Sequence, residues 1–117
     1  MIYAYTAIQA GYSIAYTADA CVKHAHHYTN IQQLKRNFDL GVSQAKHPEI
    51  FQNISSSSEG KKMVVQTAEY LKRSGRSKRI PGMYLTSAYK YLGYQLGKHY
   101  RWLPKKMIMR LTLNTYY

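Results

Sequence analysis

The chain has 117 residues, 45% of them apolar, one cysteine and a net charge of +12. This length suits one small domain or a piece of a larger one, and the composition excludes a disordered tail. A lone Cys21 excludes an internal disulfide and a closed cysteine–zinc site. No basic leader followed by an apolar run opens the sequence, and no window reaches the roughly 20 apolar residues of a membrane span.

The charge is unevenly placed. Up to residue 60, Lys23, Lys35, Arg36 and Lys46 balance Asp19, Asp39, Glu49 and Glu59; beyond it, thirteen bases face the single acid Glu69. A neutral half and a strongly basic half predict a basic surface turned toward something anionic. Thirteen tyrosines, against one tryptophan and two phenylalanines, supply rings with polar tips. Such rings suit half-wet interfaces.

In chain order, Ile2 to Ala10 reads as a helix ended by Gly11. It has no N-terminal cap, as though the chain were entered within an element. Ser13–Thr17 and Cys21–His24 alternate and read as two short strands around an Ala18-Asp19-Ala20 turn. Thr29 or Asn30 is placed to cap a helix from Ile31 to Lys46, with Ile31, Leu34, Phe38 and Val42 or Ala45 inward and Pro48 as its stop. The serines 55–58 read as a loop, with Ser58 capping a helix from Glu59 to Ser74 that Gly75 ends. Pro81 opens a further helix to about His99, and Pro104 opens a last one over Lys105–Leu113. Gly93 and Gly97 form a small-xxx-small pair, read as chance or as close helix packing.

The predicted fold is therefore mostly α with a short two-stranded β element, an α+β fragment. Two domains follow: residues 1–54, and a basic amphipathic helical tail over residues 55–117. Two short strands need partners, which points to a sheet upstream.

Three features carry chemistry. His24, His26 and His27 cluster after the second predicted strand, where they are either metal ligands or surface polar residues of a loop. Gln33 and Arg36 share the next helix; Arg36 is suited to phosphate oxygens, or is simply an exposed base. The basic helices carry Leu, Met, Tyr and Trp102 on their other faces. That is the pattern of helices lying in an anionic membrane interface. The residues assigned to it are Lys61, Lys62, Lys72, Arg73, Arg76, Lys78, Arg79, Trp102, Lys105 and Lys106. A small basic nucleic-acid-binding module or a helical interaction module is the alternative. No nucleic-acid motif supports the former, and the tyrosines fall on helical stripes rather than on a sheet platform. Asp19 and Asp39 stand apart and read as turn or helix-surface residues.

Ala10-Gly11-Tyr12, Val22-Lys23-His24-Ala25-His26-His27-Tyr28, Gln33 to Arg36 and Phe38-Asp39-Leu40-Gly41 follow one another in a characteristic order. Together with SEGKK and KYLGYQLGKHYRWLP they resemble the C-terminal part of bacterial family 2 glycosyltransferases, especially the rhamnosyltransferase-like group. The resemblance implies a GT-A parent domain, of which this chain is a C-terminal remnant followed by helices. It implies inverting transfer of a sugar, rhamnose in that group, from a nucleotide-sugar to a saccharide or lipid-linked acceptor in surface polysaccharide synthesis. It further implies a divalent metal, Mg or Mn, in the complete enzyme, with His24 on the metal or diphosphate and His26, Tyr28, Gln33 and Arg36 toward substrate. Asn37 stands where other members place Trp after Gln-x-x-Arg. No Asp-x-Asp motif or catalytic Asp matches, so the catalytic Asp is expected upstream of Met1 and the chain alone is expected to be inactive. The implied location is cytoplasmic, peripheral on the inner face of the bacterial membrane.

Overall fold

The computed structural model describes residues 2–23, 26–51 and 56–114, with only the backbone of Ser56 and Ser57. Among these residues the regular structure is helical: α1 (Ile2–Gln9), α2 (Asn30–Lys46), α3 (Pro48–Phe51), α4 (Ser56–Arg73), α5 (Ile80–Lys98) and α6 (Lys105–Leu111). Short 3-10 turns at Ser77–Arg79 and Tyr100–Trp102 join α4 to α5 and α5 to α6.

The ends of these helices follow local chemistry. Gly11 (φ +85°) and Gly75 (φ +69°) take left-handed conformations just after α1 and α4. Thr29 and Gln32 form a reciprocal capping box on α2: the Thr29 hydroxyl accepts from the Gln32 backbone N–H at 3.3 Å, and the Gln32 side chain accepts from the Thr29 N–H at 2.9 Å. Pro48 ends α2 and at once starts α3. There Glu49 faces His47 at 3.0 Å. A backbone hydrogen bond and then the His47 side chain hold the Glu49 carboxyl below the usual carboxylate range.

The two predicted strands do not form, so the α+β reading and the α/β remnant are corrected: no described residue lies in a strand. Residues 12–17 and 20–23 carry no ladder, and only a turn at Ala18–Asp19 separates them. The reason is the lack of a packing surface. Alternation produces a strand only when one face is buried, and here Tyr16 is 93% and Val22 84% exposed. Smaller corrections concern the serine run, whose residues 56–58 already lie within α4, and α6, which stops at Leu111.

The core sits where α2 meets α5. Phe38 and Val42 are fully buried, and Ala68 of α4 is nearly so. Asn30 lies against Thr86, Leu34 against Gly93, Phe38 against Gly97, and Gly41 against Tyr94 and Lys98. Both series rise together, so α2 and α5 run parallel. Their backbones touch: a Cβ on Gly93 would collide with the Leu34 carbonyl, one on Gly97 with the Phe38 carbonyl, and one on Gly41 with the Tyr94 carbonyl. The small-xxx-small pair is therefore close helix packing, with Gly41 as its counterpart on α2. The expected division after residue 54 falls between α3 and α4, and α2 and α5 pack together across it.

The connection 74–79 is short, which folds α4 back beside α5. The two meet along only a short stretch and leave an open cleft between them. After α6, Thr112 is buried against α2, where its hydroxyl donates to Asp39 Oδ1 at 2.5 Å; the Leu113 N–H donates to Asp39 Oδ2 at 2.9 Å. Asp39 is thus a clamp for the C-terminal segment, a role beyond the turn or surface residue read from its position.

Candidate functional site

The extended residues 26–29 lead into α2 and place Tyr28 just before its cap. Helical side chains lean toward the N-terminus of their helix. Arg36 therefore reaches back along α2, and its Nη1 donates to the Tyr28 hydroxyl at 2.6 Å. The guanidinium carbon also lies 4.3 Å from the Tyr28 ring centroid, within cation–π range. The His26 ring stacks on Tyr28 with centroids 5.1 Å apart and planes 21° from parallel. Three residues singled out in the sequence, His26, Tyr28 and Arg36, thus form one cluster at the N-terminal end of α2.

The cluster's chemistry is that of an anion or ring receptor. Arg36 is exposed and spends one of its five N–H groups on Tyr28. Its fork remains available to paired oxygens of a phosphate or carboxylate. Tyr28, in contact with both His26 and Arg36, holds that fork in place. Gln33 lies one turn before Arg36 on α2; its carbonyl accepts from the Asn37 side chain at 2.7 Å, and no hydrogen bond joins its own side chain to the cluster.

His24 lies outside the described residues. Among the described residues no three of His, Cys, Asp and Glu converge on a common point. The nearby carboxylates are engaged: Asp39 with Thr112 and Leu113, Glu49 with His47, and Glu59 with Lys62 at 2.9 Å. Mg and Mn require several oxygen ligands, so the described residues do not by themselves make a site for either.

The residues assigned to a membrane surface are all exposed. Lys72, Arg73, Arg76, Lys78 and Arg79 gather around the α4–α5 turn, Lys61 and Lys62 stand near the start of α4, and Lys105 and Lys106 open α6. Trp102 is 88% exposed in the 3-10 turn before α6. No helix among the described residues is long and apolar enough to cross a membrane.

Sequence reasoning missed two features. The Asp39 clamp had no local signal, because its partner lies 73 residues away. The cleft between α4 and α5 was also missed, although the Tyr84, Tyr91 and Tyr94 stripe on the predicted helix marked one of its walls.

Comparison with known proteins finds this chain similar to two O-antigen chain rhamnosyltransferases. It is 43% identical over 98 residues to the O-antigen chain rhamnosyltransferase WbaN of Salmonella anatum. It is 41% identical over 98 residues to the O-antigen chain rhamnosyltransferase RfbN of Salmonella typhimurium. Each match covers 83% of this chain and 31% of the relative, so the chain spans about a third of the length of the curated relatives it matches. No family model matches, and no solved structure matches. Over most of its length, then, this chain is similar to part of the O-antigen chain rhamnosyltransferases.

Proposed function

We propose that this chain forms part of a family 2 glycosyltransferase that moves a sugar, rhamnose by analogy with its relatives, from a nucleotide-sugar to a saccharide acceptor in O-antigen synthesis. The observation that carries this reading is the 41–43% identity to two O-antigen chain rhamnosyltransferases. The cluster of His26, Tyr28 and Arg36 supports it. Transfer from a nucleotide-sugar leaves negative charge on a departing diphosphate, and a fixed guanidinium fork stabilises such charge where it develops. Tyr28 orients Arg36, and the face of His26 extends the aromatic platform. Asp19 and Asp39 are the chain's only aspartates, and the Asp39 carboxylate is committed to the C-terminal clamp. We propose that the acceptor's proton is removed by a carboxylate supplied outside these residues, so that the chain alone is inactive.

The test is made in a complete rhamnosyltransferase containing this segment. Arg36→Ala should lower kcat/KM for the nucleotide-sugar about tenfold to a hundredfold, the range of a charge-assisted hydrogen bond. A change of less than about twofold removes Arg36 from the site.

The basic surface around the α4–α5 turn belongs to the same reading. It is proposed to lie against the anionic inner face of the membrane, where each base near the surface contributes about 1 kcal/mol. In a sedimentation assay the chain should prefer vesicles containing phosphatidylglycerol over neutral vesicles; equal binding to both sinks the membrane contact.

A further inference from the structure

The cleft between α4 and α5 has a volume of about 1100 Å³. That is the scale of a ligand site rather than a packing defect. Met63, Val64 and Val65 of α4 and Met83, Ala88 and Tyr91 of α5 are among the residues that line it. Met63 is 67% and Tyr91 54% exposed, so a substantial apolar surface stands in water.

Most polar groups of its wall already have partners. The Thr67 hydroxyl donates to the Met63 carbonyl at 2.7 Å, Ser87 to the Met83 carbonyl at 2.8 Å, Thr86 to Asn30 at 2.9 Å and Tyr94 to Gln44 at 2.8 Å. Asn37 is spent on the Gln33 carbonyl. The floor therefore presents hydrocarbon. Lys61 and Lys90 also line the cleft, and neither has an acidic partner among the described residues.

We propose that this cleft takes one hydrocarbon chain of an anionic phospholipid, whose phosphate is met by Lys61 and Lys90. An apolar trough with two unpaired cations in its lining is complementary to a molecule with an apolar chain and an anionic head. Tyrosines on the wall suit the boundary between acyl chain and headgroup. A second copy of the chain is disfavoured as occupant, because this half carries thirteen bases against one acid and would repel itself. The proposal rests on the reading that the basic surface meets an anionic bilayer, and goes further by seating one lipid in a defined place.

The test uses a lipid that needs no bilayer. Dihexanoyl phosphatidylglycerol, kept below its micelle concentration, is titrated into the full chain while the methyl NMR signals of Met63, Val64 and Ala88 are followed. Saturable one-to-one binding is expected, with shifts confined to the cleft. Dibutyroyl phosphatidylglycerol should bind at least about tenfold more weakly, since each fully buried methylene contributes about fourfold. Lys61→Gln combined with Lys90→Gln should weaken binding about thirtyfold. Ala88→Trp should fill the cleft and abolish binding, with the thermal midpoint reporting that the fold persists.

Absence of saturable shifts, or equal binding of glycerol phosphate alone, overturns the proposal. So does a dimer in sedimentation equilibrium that Ala88→Trp dissolves, which would mark a second copy as the occupant. If the short-chain lipid fails while phosphatidylglycerol vesicles still bind, the cleft is excluded and the membrane reading stands. If the short-chain lipid binds while vesicles show no preference, the membrane contact fails and the cleft survives.

Discussion

Asp39 and Thr112, 73 residues apart, are joined by a 2.5 Å hydrogen bond from the Thr112 hydroxyl to the Asp39 carboxylate. The other carboxylate oxygen takes the Leu113 N–H, so one side chain on α2 pins the segment after α6. Thr112 is only 7% exposed, whereas Asp39 is half-buried. Hydrogen bonds to a charged group contribute about 1.5–3 kcal/mol, and partial exposure lowers that. Asp39→Ala should therefore cost about 1–2 kcal/mol in urea unfolding. Asp39→Asn, which keeps an acceptor for one of the two donors, should cost less. Equal stability of Asp39→Ala and the parent would show that the clamp contributes nothing.

The helical glycines divide into two classes. At Gly93 and Gly97 a Cβ would overlap the Leu34 and Phe38 carbonyls, and backbone cannot move aside as a side chain tip can. Gly93→Ala and Gly97→Ala should each destabilise the chain by about 3 kcal/mol or more. At Gly60 and Gly82, both helical, a Cβ meets nothing within 4 Å. Alanine there should stabilise by about 0.5–1 kcal/mol. Thermal unfolding of the four variants tests the parallel α2–α5 packing: similar effects at all four positions would contradict it.

Tyr28 contacts Arg36 in two ways, through its hydroxyl and through its ring. Tyr28→Phe removes the first and keeps the second. In a complete enzyme it should reduce kcat/KM about threefold to tenfold, less than Tyr28→Ala, which removes both. Arg36→Lys should rescue little, because an ammonium lacks the fork. Full rescue by lysine would reduce the role of Arg36 to charge alone.

Glu49 supplies the pH dependence. Its folded carboxyl sits below the ordinary range because of a backbone hydrogen bond and His47. A depressed folded pKa stabilises above the unfolded carboxylate pKa, and that contribution fades as pH falls through the folded value. Carboxyl NMR titration should place Glu49 below the ordinary carboxylate range, and Glu49→Gln should remove that part of the acid sensitivity. A Glu49 titration at or above the usual value would refute the backbone and His47 contacts of its carboxyl.

Much of the helical layout was legible because its signals are local. Thr29, Gly11, Gly75, Pro48 and Pro81 each act on a backbone within a few residues of themselves. The cluster of His26, Tyr28 and Arg36 was legible for the same reason: eight residues separate Tyr28 from Arg36, and helix geometry returns the longer side chain to the shorter segment. The strands were misread because alternation over Ser13–Thr17 and Cys21–His24 states a preference that only a partner surface can realise.

By itself, then, the sequence determined the main helices and several of their ends, which residues lie next to the N-terminal end of α2, and that the second half is basic. Only the tertiary structure decided that α2 and α5 run parallel with backbones in contact, that Asp39 clamps Thr112, that α4 and α5 leave an apolar cleft, and that residues 12–23 pair with nothing as strands. The physical reason is range. Caps and turns close within one helical turn, whereas packing, clamps and strand ladders depend on surfaces brought together from distant parts of the chain.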